Sequence, residues 1–222
     1  MKSIAIDGPT GAGKSTMARE LAKRLGFIHV DTGALYRAIG YHMLRRGADI
    51  ADIGAVRAVL FDLSVEIKYA GGVQRVIING DDVSDHIRSE DVSMAASAVS
   101  AYPEVREFLL GLQRSMANSG NVIMDGRDIG TVVLPKADLK VFLTASKEER
   151  ARRRYEELKG KGIDADFDTV LKDLSIRDHN DSNRKTAPLT PAEDAVIVDT
   201  TGKELCASVE ILYTLVKEKL DL

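Results

Sequence analysis

A single cysteine, Cys206, stands among 222 residues, so no internal disulfide can form and a reducing compartment fits. Tryptophan is absent and aromatics make up only 5%, which leaves little for a base-stacking platform on single-stranded nucleic acid. The net charge of −3 argues against a general nucleic-acid coat. No uncharged apolar run approaches the roughly 18 residues of a membrane span. Met1 to Asp7 enters an apolar strand directly, without the basic and long apolar regions of a signal peptide. His29, His42, His86 and His179 show no metal-ligand spacing with one another or with Cys206, and they read as ordinary core or surface residues. No Ser-His-Asp grouping, internal repeat, low-complexity tract or heptad seam stands out. The expectation is a cytoplasmic, monomeric globular protein with no membrane or nucleic-acid partner.

What is present alternates. Ser3 to Asp7, Phe27 to Val30, Asn121 to Asp125, Leu139 to Leu143 and Ala195 to Asp199 are short apolar runs of buried-strand type. Between or after them lie helical stretches: Ser15 to Leu25, Ala34 to Arg46, Glu104 to Asn118, Lys147 to Leu158, Phe167 to Arg177 and Lys203 to Leu220. Such alternation predicts a parallel sheet covered on both faces. One segment departs from it. Leu63 to Tyr69 alternates apolar and polar residues, Gly71-Gly72 follows, and Val73 to Asn79 leads to Asn79-Gly80. That pattern predicts an antiparallel hairpin with one wet face, inside an insert of roughly Ala51 to Ala101.

Gly8-Pro9-Thr10-Gly11-Ala12-Gly13-Lys14-Ser15 matches G-x-x-x-x-G-K-[ST] in full, between an apolar strand and an amphipathic helix. Its glycines let successive backbone N–H groups face phosphate oxygens. The helix start adds its positive dipole end, Lys14 a point charge and Ser15 a hydroxyl for magnesium. A nucleoside triphosphate is the expected ligand. The loop alone does not make an enzyme, because binding modules share it.

Asp31-Thr32-Gly33 falls at the carboxyl end of the second strand, where open parallel sheets bind ligands, and Tyr36 and Arg37 follow. Asp31 reads equally as a helix N-cap, and Arg37 as a solvated cation or a fork for an anion. Asp125 ends an apolar strand as an acid that reaches magnesium or its water, with Gly126-Arg127-Asp128 directly after. Arg150, Arg152, Arg153 and Arg154 form a run whose helix-spaced glutamates support a solvated face. The same run would serve as a lid neutralising phosphate charge. Arg177, Asp181 and Arg184 share one face if their helix continues that far.

The ordered set Gly8 to Ser15, Asp31-Thr-Gly-Ala-Leu-Tyr-Arg37, Gly126-Arg-Asp-Ile-Gly-Thr131 and Arg177-Asp-x-x-Asp181 with Pro188-Leu189 resembles the bacterial cytidylate kinases over essentially the whole chain. The glycine loop is widely shared; the second and third blocks are much narrower. The resemblance implies an α/β P-loop NTPase fold, a five-stranded parallel sheet with helices on both faces. It also implies a core at 1–30, 102–149 and 166–222, an inserted antiparallel β/α monophosphate-binding region at 31–101 and a short lid at 150–165. It implies ATP on Gly8 to Thr16 with Mg2+ on Ser15 and a possible contribution from Asp125. Thr32, Ser97, Arg106 and Asp128 would read the cytosine of CMP or dCMP, beside Tyr36. Arg37 and Arg127 would hold the acceptor phosphate, Arg177 and Asp181 the sugar hydroxyls, and Arg184 would line the same pocket. Arg153 and Arg154 would act from the lid. Lys14, Arg127, Asp128, Arg153 and Arg154 form the implied catalytic set.

In that chemistry an oxygen of the acceptor phosphate attacks the γ-phosphorus in line. The acceptor is already anionic, so positioning and charge stabilisation carry catalysis. Three rivals stay open. A kinase for another small acceptor would share loop and lid, a regulatory GTPase would carry an Asn-Lys-x-Asp reader that this sequence lacks, and a nucleic-acid ATPase is permitted by the arginines. Changing Lys14 to Ala is expected to cut turnover by orders of magnitude with circular dichroism unchanged. Near-normal turnover in the folded variant would remove the loop from the chemistry.

Overall fold

A computed structural model describes residues 1–221. Its central strand is β1 (Ser3–Asp7), which pairs in parallel with β6 (Val122–Gly126) on one side and β7 (Leu139–Thr144) on the other. β2 (Ile28–Asp31) lies outside β6, and β8 (Val196–Asp199) pairs in parallel with β7, giving the order β2-β6-β1-β7-β8. The five-stranded parallel sheet expected from the alternating pattern is therefore present. The register sets Ile6 opposite Asp125 and Asp7 opposite Gly126. The segments leaving β1 and β6 thus emerge side by side at the carboxyl end of the sheet, the usual position for ligand-binding loops.

The chain divides into two units. The first, 1–29 with 120–222, also carries α1 (Lys14–Leu25), α6 (Lys147–Gly160), α7 (Phe167–Asn183) and α8 (Leu205–Leu220). Ile4, Ile6, Met17, Leu21, Ile123, Leu143 and Leu212 form its core and are essentially inaccessible to water. Gly8 opens the loop to α1 at φ 149°, and a Cβ there would lie 1.9 Å from the Leu143 carbonyl oxygen, so only glycine fits. Serine or aspartate caps are placed where helix starts need them: Ser146 accepts from the Glu149 amide and Asp166 from that of Thr169. After β6 the chain makes a single π turn, Ile129–Val133, which the sequence reading did not anticipate.

The second unit runs over 30–119. It holds α2 (Thr32–Arg45), α3 (Ile53–Phe61), α4 (Glu90–Val99) and α5 (Pro103–Ala117). It also holds a three-stranded antiparallel sheet of β3 (Val65–Ala70), β4 (Val73–Ile78) and the two-residue β5 (Asp81–Asp82). β3 and β4 pair from Val65–Ile78 to Ala70–Val73, the predicted hairpin. Gly71 and Gly72 turn it with φ of 58° and 78°, both positive as a two-residue hairpin turn requires. This unit has its own core around Leu35, Ile39, Met43, Val56, Val76, Val99 and Leu109. It includes α5 and ends at 119, whereas the sequence reading closed the insert at 101.

Helices α3 and α4 were not legible in the insert. In α4 the buried face is largely alanine and serine, too small for a strong apolar period. Small residues are what its packing demands, because a Cβ on Gly40 of α2 would lie 2.9 Å from the Ala96 amide nitrogen. Gly40→Ala therefore sets two effects against each other. Helix propensity favours Ala by about 1 kcal/mol, while a methyl against backbone that cannot step aside costs about 1–3 kcal/mol. A net loss of stability is expected in urea unfolding, and a raised midpoint would show that α2 and α4 separate freely.

Candidate active site

Within the first unit, polar side chains gather on the loop that joins β1 to α1. The Lys14 ammonium is buried and donates to the Pro9 carbonyl at 2.7 Å. Burial, and then the neighbouring Arg127, push its pKa well below the ordinary lysine value, against the pull of Asp125, Asp181 and Asp7. Ser15 donates its hydroxyl to Asp125 Oδ2 at 2.6 Å, and the other Asp125 oxygen meets His29 Nε2 at 2.7 Å. These hard oxygens at the root of the loop suit a magnesium ion that also takes phosphate ligands.

Arg127 bridges two elements. Its Nη2 donates to the Thr10 hydroxyl at 2.7 Å and its Nε to Asp181 Oδ2 at 2.8 Å. Burial alone would raise the Asp181 carboxyl, but Arg127, Arg184 and Arg177 outweigh it and hold the group below the usual carboxylate range. α7 does continue to Asn183, so Arg177 and Asp181 lie on one helix, with Arg184 as its cap. Arg184 Nη2 lies 3.6 Å from Asp128 Oδ1, and Arg184 Nε donates to the Ala187 carbonyl.

The arginine run does not act as one group. Arg150 is buried: it donates to the Thr10 carbonyl at 2.8 Å, to Asp178 Oδ2 at 2.6 Å and to the Ala145 carbonyl at 3.0 Å. Asp178 in turn accepts from the Thr10 amide. Arg153 bonds Glu149 and the Thr200 hydroxyl and carbonyl, and one of its nitrogens lies 4.0 Å from where a Gly13 Cβ would stand. Arg152 pairs with Glu149 and Glu156, and Arg154 with Glu157. Among loop residues, Gly8, Pro9 and Ala12 are buried and Thr16 is exposed.

In the second unit, Asp31 caps α2 by accepting from the Ala34 amide, as its N-cap reading expects, and holds Arg37 Nη2 at 2.7 Å. Gly33 makes room: a Cβ there would fall 3.0 Å from Arg37 Nη1. Gln74 of the hairpin accepts from the Asp31 amide and donates to its carbonyl, fixing the end of β2. Thr32 is buried, as is Arg106, whose guanidinium donates to the Ser100 carbonyl and lies 5.5 Å from the Tyr36 ring centre. Ser97 Oγ and Arg37 Nε are buried without a hydrogen-bond partner among the described residues. Two such orphaned groups match a surface meant for a polar, anionic ligand.

Sequence reasoning missed Asp7, His29, Gln74, Asp178 and the true place of Arg150. No spacing signal could have found Asp7, His29, Gln74 or Asp178, since each acts on a residue distant in the chain; for Arg150 the one signal is that no glutamate stands three or four residues from it. Among the described residues no group of three or more His, Cys, Asp or Glu is placed to hold a metal.

Comparison with known proteins is consistent throughout. The family model for cytidylate kinase matches residues 4–218. Curated cytidylate kinases are 49% identical in Geobacillus kaustophilus (98% of this chain, 97% of the relative) and 51% in Caldanaerobacter subterraneus subsp. tengcongensis (97% and 94%). A third, from Desulfitobacterium hafniense, is 48% identical over 98% of this chain and 94% of its own. A crystal structure of an uncharacterised protein from Eubacterium ventriosum aligns at a TM-score of 0.51 and 12% identity, over 98% of this chain and 99% of its own, a likeness of fold alone.

The Arg127–Asp181 pair carries a pH signature. Asp181's lowered pKa stabilises the fold fully above the ordinary aspartate range, and that contribution is lost as pH falls through it. Arg127→Met is expected to cost about 1.5–3 kcal/mol at pH 7, with the gap to the unaltered protein narrowing below about pH 4. Urea midpoints across pH test this, and a gap independent of pH would remove Asp181 as the partner that matters.

Proposed function

This chain belongs to the cytidylate kinase family, and from that premise we propose how its residues divide the family's reaction, the ATP-dependent phosphorylation of CMP and dCMP. ATP lies on Gly8 to Thr16, with backbone amides and Lys14 against its phosphates. Ser15 and Asp125 would hold magnesium, directly or through water, and the bound ion would supply positive charge against the phosphates. The pairing of Ser15 with Asp125 supports this assignment.

Arg127 and Arg37 hold the acceptor phosphate, and an oxygen of that phosphate attacks the γ-phosphorus in line. The observation that carries the reading is Arg127 itself. Its guanidinium is bonded to a residue of the triphosphate loop and is steadied from behind by Asp181. A planar fork in that position suits a phosphate monoester approaching the loop. Asp128, Thr32, Ser97 and Arg106 read the cytosine, beside Tyr36. They supply both donors and acceptors, and the orphaned Ser97 hydroxyl supports a ligand contact. A base lacking the matching groups leaves buried polar atoms unpaired, which is how such sites discriminate. Arg177 and Asp181 serve the sugar hydroxyls, and Arg184 fixes Asp128.

Within the expected lid at 150–165, Arg153 adds positive charge near Gly13, while Arg154 acts only after leaving Glu157. Closure would exclude water and so suppress ATP hydrolysis. We take the enzyme as a cytoplasmic monomer.

ADP release from ATP and magnesium with CMP, dCMP, UMP, AMP and GMP, and with no acceptor, tests the assignment. Turnover led by CMP and dCMP is expected. Asp128→Ala should lower kcat/KM for CMP about 100-fold, ~2.7 kcal/mol, with ATP binding little changed. Equal loss for ATP and CMP would sink the base-reading role.

A further inference from the structure

Asp7, the last residue of β1, is 4% exposed and belongs to none of the roles above. Its Oδ1 accepts from the Ile129 amide at 2.8 Å and its Oδ2 from the Gly130 amide at 2.7 Å. These two amides open the π turn that follows Asp128. That turn closes on itself further along, through Val132 and Val133 amides to the Asp128 carbonyl and the Leu134 amide to that of Ile129. Its first amides have no acceptor within the turn, and in a buried setting they must find one elsewhere. A carboxylate from the neighbouring strand provides both. The approach is close: a Cβ on Gly130 would sit 3.4 Å from Asp7 Oδ2 and 3.1 Å from Lys140 Cδ.

We propose that Asp7 is a positioning residue for the acceptor: by gripping two consecutive amides it sets where Arg127 and Asp128 point. This rests on the reading of Arg127 and Asp128 given above. The grip needs a charged carboxylate, since both oxygens must accept. An amide side chain at the same place would offer one acceptor and would turn an N–H₂ toward the second backbone N–H. Burial pushes the Asp7 carboxyl up to about 6, against the pull of those two amides, so the ionised form is held at neutral pH by the contacts it makes. Asp7 also feels Lys14 across the loop. A role in ATP binding is therefore the competing explanation, and the two substrates separate them.

Asp7→Asn is expected to raise the KM for CMP about tenfold, ~1.4 kcal/mol, and to leave the KM for ATP within about twofold. An equal rise for both substrates, or no change in either, overturns the proposal. Asp128→Ala measured alongside distinguishes the two levels. If that variant is silent toward CMP, the inference falls with the reading beneath it. If it is impaired while Asp7→Asn is unselective, only the role of Asp7 falls. Should Asp7→Asn not fold, Asp7→Glu carries the test, because it keeps the charge while moving both oxygens away from their places against the Ile129 and Gly130 amides. The same selective rise for CMP is expected, and an unselective one or none overturns the role of Asp7.

Discussion

Lys14, Arg127 and Arg150 all bond to one short loop, and like charges packed so closely repel unless carboxylates stand among them. Each cation has its answer. Arg127 has Asp181, Arg150 has Asp178, and Lys14 feels Asp125, Asp181 and Asp7. Breaking a buried pair by removing one partner costs more than the pair gives, so these groups must stay together for the loop to keep its shape. Even so, burial and Arg127 leave the lysine well below its ordinary pKa. A phosphate group beside Lys14 would favour the charged ammonium that burial and Arg127 disfavour.

The carboxylates come from strand ends and from one helix because the parallel register allows it. With Asp7 opposite Gly126, two phosphate-facing segments start from neighbouring strands, and α7 supplies Asp178 and Asp181 one turn apart. Thr10 shows the consequence: its amide, carbonyl and hydroxyl are taken by Asp178, Arg150 and Arg127 in turn. A residue held at three points fixes the loop around it, and preorganised donors cost nothing further when charge develops.

The second unit follows the same logic with less charge. Its hairpin was legible because antiparallel strands with one wet face leave an alternation, seen in β3, and because Gly71-Gly72 marks the turn. What the hairpin does was not legible, since Gln74 grips the backbone of Asp31, 43 residues earlier. Asp31 in turn aligns Arg37, so the hairpin of the insert helps to hold the residue proposed to grip the acceptor phosphate.

By itself the sequence determined the five strands of the parallel sheet, the glycine loop with Lys14 and Ser15, the hairpin and the residues of the narrow motif blocks. Local periodicity and close spacing encode all of these. Tertiary structure decided which of several similar charges matter. Among four arginines within five residues, Arg150 is buried against the loop, Arg153 is turned to Thr200, and Arg152 and Arg154 pair along their own helix. Helix spacing offers a glutamate to Arg152, Arg153 and Arg154 and none to Arg150, but only packing decides that Arg150 bonds the loop instead. His29 beside Asp125 and Asp7 beneath the π turn belong to the same class. Their partners lie about a hundred residues away in the chain and one strand away in space, and that nearness exists only once the sheet has formed.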